Sequence, residues 1–328
     1  MQKSRVKRYR KTRAYKFWYK IFTAGCVLLL CGIVLLGTDF YLYQKRNEKE
    51  ELLKELKQQE EEMQQSRIPA SGSQGEDAET ESAEPDAENS PDENELTKQL
   101  TQEIQQLDGD WSVYVEQINT GITCDINDQR YPAASLIKLF IMGTIYEDYD
   151  ILSGTYGQKD LDRYLEKMIT VSDNEAANQL VSMLGEGSSE AGRSRVNLYC
   201  QENEYYNTYM GRMLLESNEN GENYTSAKDC GKFLRKVYLN EGSHSMDMLE
   251  YLKQQGCTEK IPAGVPEGIE VANKTGELSD IENDAALVLI EDDTYSITVI
   301  ATGLTDPSSA KEKIKEISSE VYNYFEKE

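Results

Sequence analysis

Histidine is nearly missing from this chain: a single residue, His244, in 328. A Ser-His-Asp triad or a histidine-rich metal site would have to rest on it alone, and its Gly-Ser-His-Ser surroundings read as an exposed loop. The six cysteines are scattered, with no Cys-x-x-Cys pair, which excludes the common zinc clusters. There is no phosphate-binding glycine loop and no cofactor motif. Basic residues are scarce as well: 35 Lys and Arg stand against 59 Asp and Glu, a net charge of −24. A phosphate polymer needs a basic surface, so nucleic acid is excluded as the main partner. Any nucleophile here must take Lys, Tyr, Asp or Glu as its base.

What is present is unevenly spread. Residues 1–20 hold nine Lys and Arg and no acidic side chain. Residues 21–38 then run 18 positions without a charge, about 27 Å as a helix, near the thickness of a bilayer's hydrocarbon core. Phe17, Trp18 and Tyr19 before it, and Phe40, Tyr41 and Tyr43 after it, sit where interfacial aromatics belong. No small-x-small cleavage site follows, and Cys26 and Cys31 lie inside the apolar run rather than after it. The expectation is an uncleaved signal anchor over residues 21–43, single-pass in the cell membrane. Residues 1–20 then form a basic cytoplasmic tail, and the remainder is extracytoplasmic with the lipid bilayer as a partner. Residues 44–67 are dominated by Glu, Lys and Gln, and residues 68–95 combine Gly, Ser and Pro with ten acids and no base. Such a stretch cannot bury enough apolar surface to fold, so residues 44–94 read as a charged stalk and acidic linker.

A folded domain is expected over residues 95–328. A helical pattern at 95–107 precedes two alternating runs, 111–118 and 122–126, around Asn119-Thr120-Gly121, a hairpin signature. Three further strand-like runs follow at 269–274, 285–290 and 295–302. Pro307 opens an amphipathic helix with Ile314, Ile317, Val321 and Phe325 on one face. Patterns between 131 and 251 are mostly helical. Strands from both chain ends with helices between them predict an α+β domain with one sheet completed by both termini.

Three short motifs meet the need for a base other than histidine. Ser135-x-x-Lys138 opens the apolar helix 136–146, where residues three apart share a face and burial makes the amine easier to deprotonate. A serine in the first helical turn also offers its backbone N–H to an oxyanion. The spacing alone is weak, since Ser4-x-x-Lys7 and Ser308-x-x-Lys311 match it too. Ser172-Asp173-Asn174 lies between two helical runs; it supplies a hydroxyl and an amide, though all three residue types are also ordinary helix caps. Lys274-Thr275-Gly276 lies on a strand, where Gly permits close approach of a substrate backbone and Lys with Thr can grip a carboxylate.

Taken in this order, the three motifs resemble the active-site-serine family of penicillin-binding proteins and class A β-lactamases. The resemblance covers roughly residues 111–325. It implies a β-lactamase/transpeptidase-like fold: an antiparallel sheet from both chain ends, flanked by helices, plus a helical subdomain. It implies that Ser135 is acylated, that Lys138 accepts its proton, and that Ser172 passes a proton to the leaving nitrogen. Asn174 would bind the substrate's amide, Lys274, Thr275 and Gly276 its carboxylate end, and the backbone N–H groups of Ser135 and Glu277 the oxyanion. No metal or cofactor is implied.

The chain also departs from the pattern. Class A enzymes carry a deacylating Glu, with an Asn four residues on, in a loop between the second and third motifs. Glu216 and Asn220 have that spacing, but the Arg-x-Glu context is broken because Leu214 stands two residues after Arg212, where the Glu would be. Glu277 would oppose a substrate carboxylate unless it points away. The 37 residues from Ser135 to Ser172 imply a reduced helical subdomain. The leading expectation is a membrane-tethered serine hydrolase of β-lactams, with Glu216 the candidate deacylation base. The alternatives are a D,D-peptidase-like hydrolase of peptidoglycan stem peptides and a non-catalytic penicillin- or cell-wall-binding module. Tyr199, Tyr205, Tyr206 and Tyr209 could line a groove or simply pack. Cys124, Cys200, Cys230 and Cys257 would allow three pairings if all were bridged.

Overall fold

A computed structural model describes residues 95–291 and 293–326. The anchor, stalk and linker expected over residues 1–94 lie outside the described residues. Among those described, no helix is long and apolar enough to cross a membrane.

The chain enters through helix α1 (Glu95–Ile104) and builds the hairpin β1 (Asp110–Gln117) and β2 (Thr123–Ile126), as the alternating runs predict. Near the other end come β6 (Glu270–Leu278), β7 (Ile281–Leu289) and β8 (Tyr295–Thr302), followed by the closing helix α9 (Pro307–Phe325). All are antiparallel, in the order β2-β1-β8-β7-β6. β8 pairs with β1 along its whole length, which is how both ends of the domain complete one sheet.

The sheet sorts its side chains by alternation. One face sends Trp111, Val113, Val115, Ile297, Val299 and Ala301 against α1 and the α9 stripe of Ala310, Ile314, Ile317, Val321 and Phe325. The other sends Tyr114, Ala285, Leu287 and Ile300 toward the helices of the middle segment. Each fully buried Leu or Ile in these layers contributes roughly 1.5–3 kcal/mol.

The middle segment contains β3 (Tyr131–Pro132), α2 (Ile137–Glu147), α3 (Tyr149–Tyr156), α4 (Gln158–Thr170), α5 (Asn174–Leu184) and α6 (Ser189–Glu202). It continues through β4 (Tyr209–Met210), β5 (Asn223–Thr225), α7 (Ala227–Tyr238) and α8 (Ser245–Lys253). α2 is its axis, with residues 137–146 all buried; a helix apolar on every side belongs in the middle of a core. A Cβ on Gly143 would lie 2.3 Å from the Tyr199 hydroxyl, so glycine there lets α6 pack close to α2. β3, β5 and β4 form a small second sheet that the sequence patterns do not announce. Tyr199 and Tyr205 pack in the core, whereas Tyr206 is exposed. No disulfide joins Cys124, Cys200, Cys230 and Cys257. His244 is exposed and stacks on Tyr146.

Where α1 meets α9, burial and the neighbouring Glu320 carboxyl push Glu103 up to about 7. A carboxyl raised in the fold binds a proton that the unfolded chain has already lost. Its contribution is therefore fully present below the usual carboxylate range and is lost as pH rises toward 7. Glu103→Gln should accordingly melt a few degrees above the parent at pH 8, with the difference closing by pH 5; thermal denaturation at the two pH values checks this.

Candidate active site

Ser135 lies in the short 3-10 turn Ala134–Leu136, which runs directly into α2. Ala134, just before it, has φ +46°, a conformation that alanine adopts only under tertiary constraint. Lys138 follows one turn later with its side chain wholly buried. Its Nζ is 3.0 Å from Ser135 Oγ, 2.7 Å from the Ser172 carbonyl, 3.1 Å from Ser172 Oγ and 2.7 Å from Asn174 Oδ1. Four partners surround a nitrogen that carries at most three protons, and only the two hydroxyls can donate in return. Burial pulls the Lys138 ammonium down to about 8, with the Asp173 carboxylate resisting.

The second motif divides its labour. Asp173 caps α5, accepting a hydrogen bond from Ala176 N at 2.8 Å, so the ordinary capping role falls to the middle residue. Ser172 and Asn174 are left to face Lys138. Ser172 has φ +55°, and its Oγ stands between two amines, 3.1 Å from Lys138 Nζ and 2.9 Å from Lys274 Nζ. Lys274 is buried on β6 and also donates to the Thr275 carbonyl. Burial first, and the nearby Lys138 charge second, bring Lys274 down to about 7. Two amines so close cannot both hold a proton cheaply; their protonation is that of a pair.

Gly276 brings β6 against the serine turn. A Cβ there would stand 3.0 Å from the Ala133 carbonyl, 3.1 Å from Ser135 N and 3.2 Å from Leu136 N. From the neighbouring strand, Asn283 Nδ2 donates to the Pro132 carbonyl at 3.2 Å, and its Oδ1 accepts from Ala301 N. The turn carrying Ser135 is thereby tied to the middle of the sheet. The Glu277 side chain points away from Lys274, onto Lys260 Nζ at 3.1 Å and Lys311 Nζ at 3.4 Å.

Glu216 is exposed, and its Oε2 accepts a hydrogen bond from Met213 N at 3.1 Å within its own loop. That loop is pinned at two points the sequence does not flag. Arg212 and Glu222 close its ends at 2.9 Å, both mostly buried. Asn178 holds the Leu214 backbone from both sides, accepting from its N–H and donating to its carbonyl, each at 2.9 Å. The signal for Asn178 is its place one helical turn beyond Asn174, on the same face of α5.

An acyl group can be taken up on Ser135 Oγ with Lys138 as base, with a hydroxyl relay between two amines and strand backbone alongside. Serine acylation without histidine defines a class of enzymes and penicillin-binding proteins. The model of the Beta-lactamase enzyme family matches residues 95–151 and 153–325, and this chain belongs to that family. Among solved structures, PBP-A is 26% identical, with a TM-score of 0.62 over 71% of this chain and 96% of its own. A leucine-to-glutamate mutant of PBP-A, an acyl-enzyme complex with penicillin G, is also 26% identical, with a TM-score of 0.62 over 73% and 100%. A class A β-lactamase from Mycobacterium abscessus shares the fold at 22% identity, with a TM-score of 0.61 over 70% and 99%. No curated protein sequence matches.

Gly276→Ala would push β6 off the serine turn by a few tenths of an ångström without straining its own backbone. Acylation by a penicillin should slow by about tenfold or more, while the melting temperature moves by only a few degrees; stopped-time mass spectrometry and calorimetry separate the two.

Proposed function

We propose that this protein is an extracytoplasmic serine acyl-enzyme that binds β-lactams or peptidoglycan stem peptides and releases the acyl group slowly. It would be held at the cell membrane by residues 21–43. The observation that carries this reading is the Lys138 amine within hydrogen-bond reach of Ser135, Ser172 and Asn174 together. Lys138 takes the Ser135 proton as Oγ bonds to the substrate carbonyl carbon. The backbone N–H groups of Ser135 and Glu277 hold the resulting oxyanion. As the carbon–nitrogen bond breaks, Ser172 passes a proton to the leaving nitrogen and is re-protonated from the two amines beside it. Asn174 receives the substrate amide, and Lys274 with Thr275 its carboxylate.

Release requires water to attack the ester. Leu214 is clamped by Asn178 where an acid would follow Arg212 in class A enzymes, and the Glu216 carboxylate is engaged with Met213 N in an exposed loop. These two facts favour a peptidase-like or penicillin-binding role over rapid β-lactam hydrolysis. The β-lactamase reading keeps the support of the family and of the matching spacing of Glu216 and Asn220.

Intact mass spectrometry after adding penicillin G tests both. A one-to-one adduct on Ser135, absent from Ser135→Ala, is expected to persist for hours. Leu214→Glu should shorten that lifetime by about tenfold or more, and Glu216→Gln should leave it unchanged. An adduct lost within seconds in the parent, and prolonged by Glu216→Gln, would establish β-lactam hydrolysis through Glu216 instead. No adduct in the parent would rule out acylation.

A further inference from the structure

The third Ser-x-x-Lys match in the chain, Ser308 to Lys311, has no part in the acylation chemistry, yet its lysine reaches the site from behind. Glu277 and Glu282 stand directly opposite each other on β6 and β7. Like charges in that register repel, and here two lysines from outside the strands bridge them. Lys260 Nζ donates to Glu277 Oε1 at 3.1 Å, to Glu282 Oε2 at 2.9 Å and to the Asn283 carbonyl at 2.9 Å. Lys311 Nζ, from the second turn of α9, lies 3.4 Å from Glu277 Oε1 and 3.7 Å from Glu282 Oε1. Lys260 and Glu282 are almost fully buried, so neither can leave the cluster; Glu277 is 43% exposed and can.

Glu277 is also two residues beyond Thr275, and alternation puts both side chains on the same face of β6. A Glu277 side chain released from its lysines would swing toward the position where Thr275 meets a substrate carboxylate. At such separations two like charges repel strongly enough to decide binding. Lys260 divides its three protons among Glu277, Glu282 and the Asn283 carbonyl, so it holds Glu277 fully only with help, and the partly exposed Lys311 is the adjustable restraint.

We infer that Lys311 is a specificity-determining residue: with Lys260 it cages the Glu277 carboxylate, so that an acidic residue can sit beside the oxyanion hole without repelling the substrate's own carboxylate. The inference rests on the acyl-enzyme reading of Ser135, Lys274 and Thr275. It names a group on the far helix, outside all three motifs, that selects for carboxylate-bearing substrates by neutralising a neighbour.

The test compares second-order acylation of the full chain by penicillin G and by its methyl ester, followed by intact mass. Lys311→Met should slow acylation by the free carboxylate about tenfold and leave the ester unaffected. Adding Glu277→Gln to Lys311→Met should restore the rate with the carboxylate, since the charge that needs caging is gone; recovery also shows that the variants fold. Equal slowing with both compounds, or no recovery in the double variant, would reduce Lys311 to a packing role and overturn the inference while the acyl-enzyme reading stands. A parent acylated by neither compound overturns both.

Discussion

The structure turns on a lysine placed where lysine is expensive. Lys138 is wholly buried in α2, a helix whose other buried residues are almost all apolar, and an ammonium there has lost its water. Everything that makes its burial tolerable is also what makes it useful. Its hydrogen-bond partners are the two serine hydroxyls, one carbonyl and one amide oxygen, and satisfying it requires the start of α5 to arrive beside the start of α2. The same burial lowers its proton affinity toward neutrality, where an amine can trade a proton with a hydroxyl. Lys274 repeats the arrangement from the sheet side, and the nearby Lys138 charge adds to burial in discouraging it from holding its proton.

Much of this was legible in the sequence because chemistry restricts it. The Ser135–Lys138 spacing, the Ser172-Asp173-Asn174 junction and the Lys274-Thr275-Gly276 strand all lie where the patterns put them, and the three come together at Ser172. What hydropathy could not reach were polar residues buried for hydrogen bonding. The apolar β6 run ends before the Lys274-Thr275-Gly276 motif, yet the strand continues beyond the motif through Glu277 to Leu278. The apolar β7 run starts at residue 285, yet Glu282, Asn283 and Asp284 already belong to the strand and are buried. Asp284 sits there because Asn273 and Ile261 N donate to it. Glu282, Asn283 and Asp284 carry no apolar signal and join the sheet only once their partners are known. The two- and three-residue strands of the small sheet escape for a simpler reason: they are too short to show alternation.

The loop from Arg212 to Glu222 marks the limit of spacing arguments. Glu216 and Asn220 stand four residues apart in the required order, but a loop's side chains are aimed by what grips its backbone. The grip here is Asn178 on Leu214 and the Arg212–Glu222 pair, and it presents leucine at the clamped position. One long-range hydrogen-bonded pair outweighs a local spacing that the sequence displays openly.

Two of the residues in unfavourable backbone conformations, Ala134 at φ +46° and Ser172 at φ +55°, flank the chemistry. Neither has a local reason to be there: a short peptide spanning either would relax to negative φ. Ser135 and Ser172 are therefore out of place until β6 presses on the 3-10 turn and α5 docks on α2. Site assembly and tertiary folding are one event, so an excised segment containing Ser135-x-x-Lys138 would not hold the serine and lysine in this arrangement, and neither would a partially folded chain.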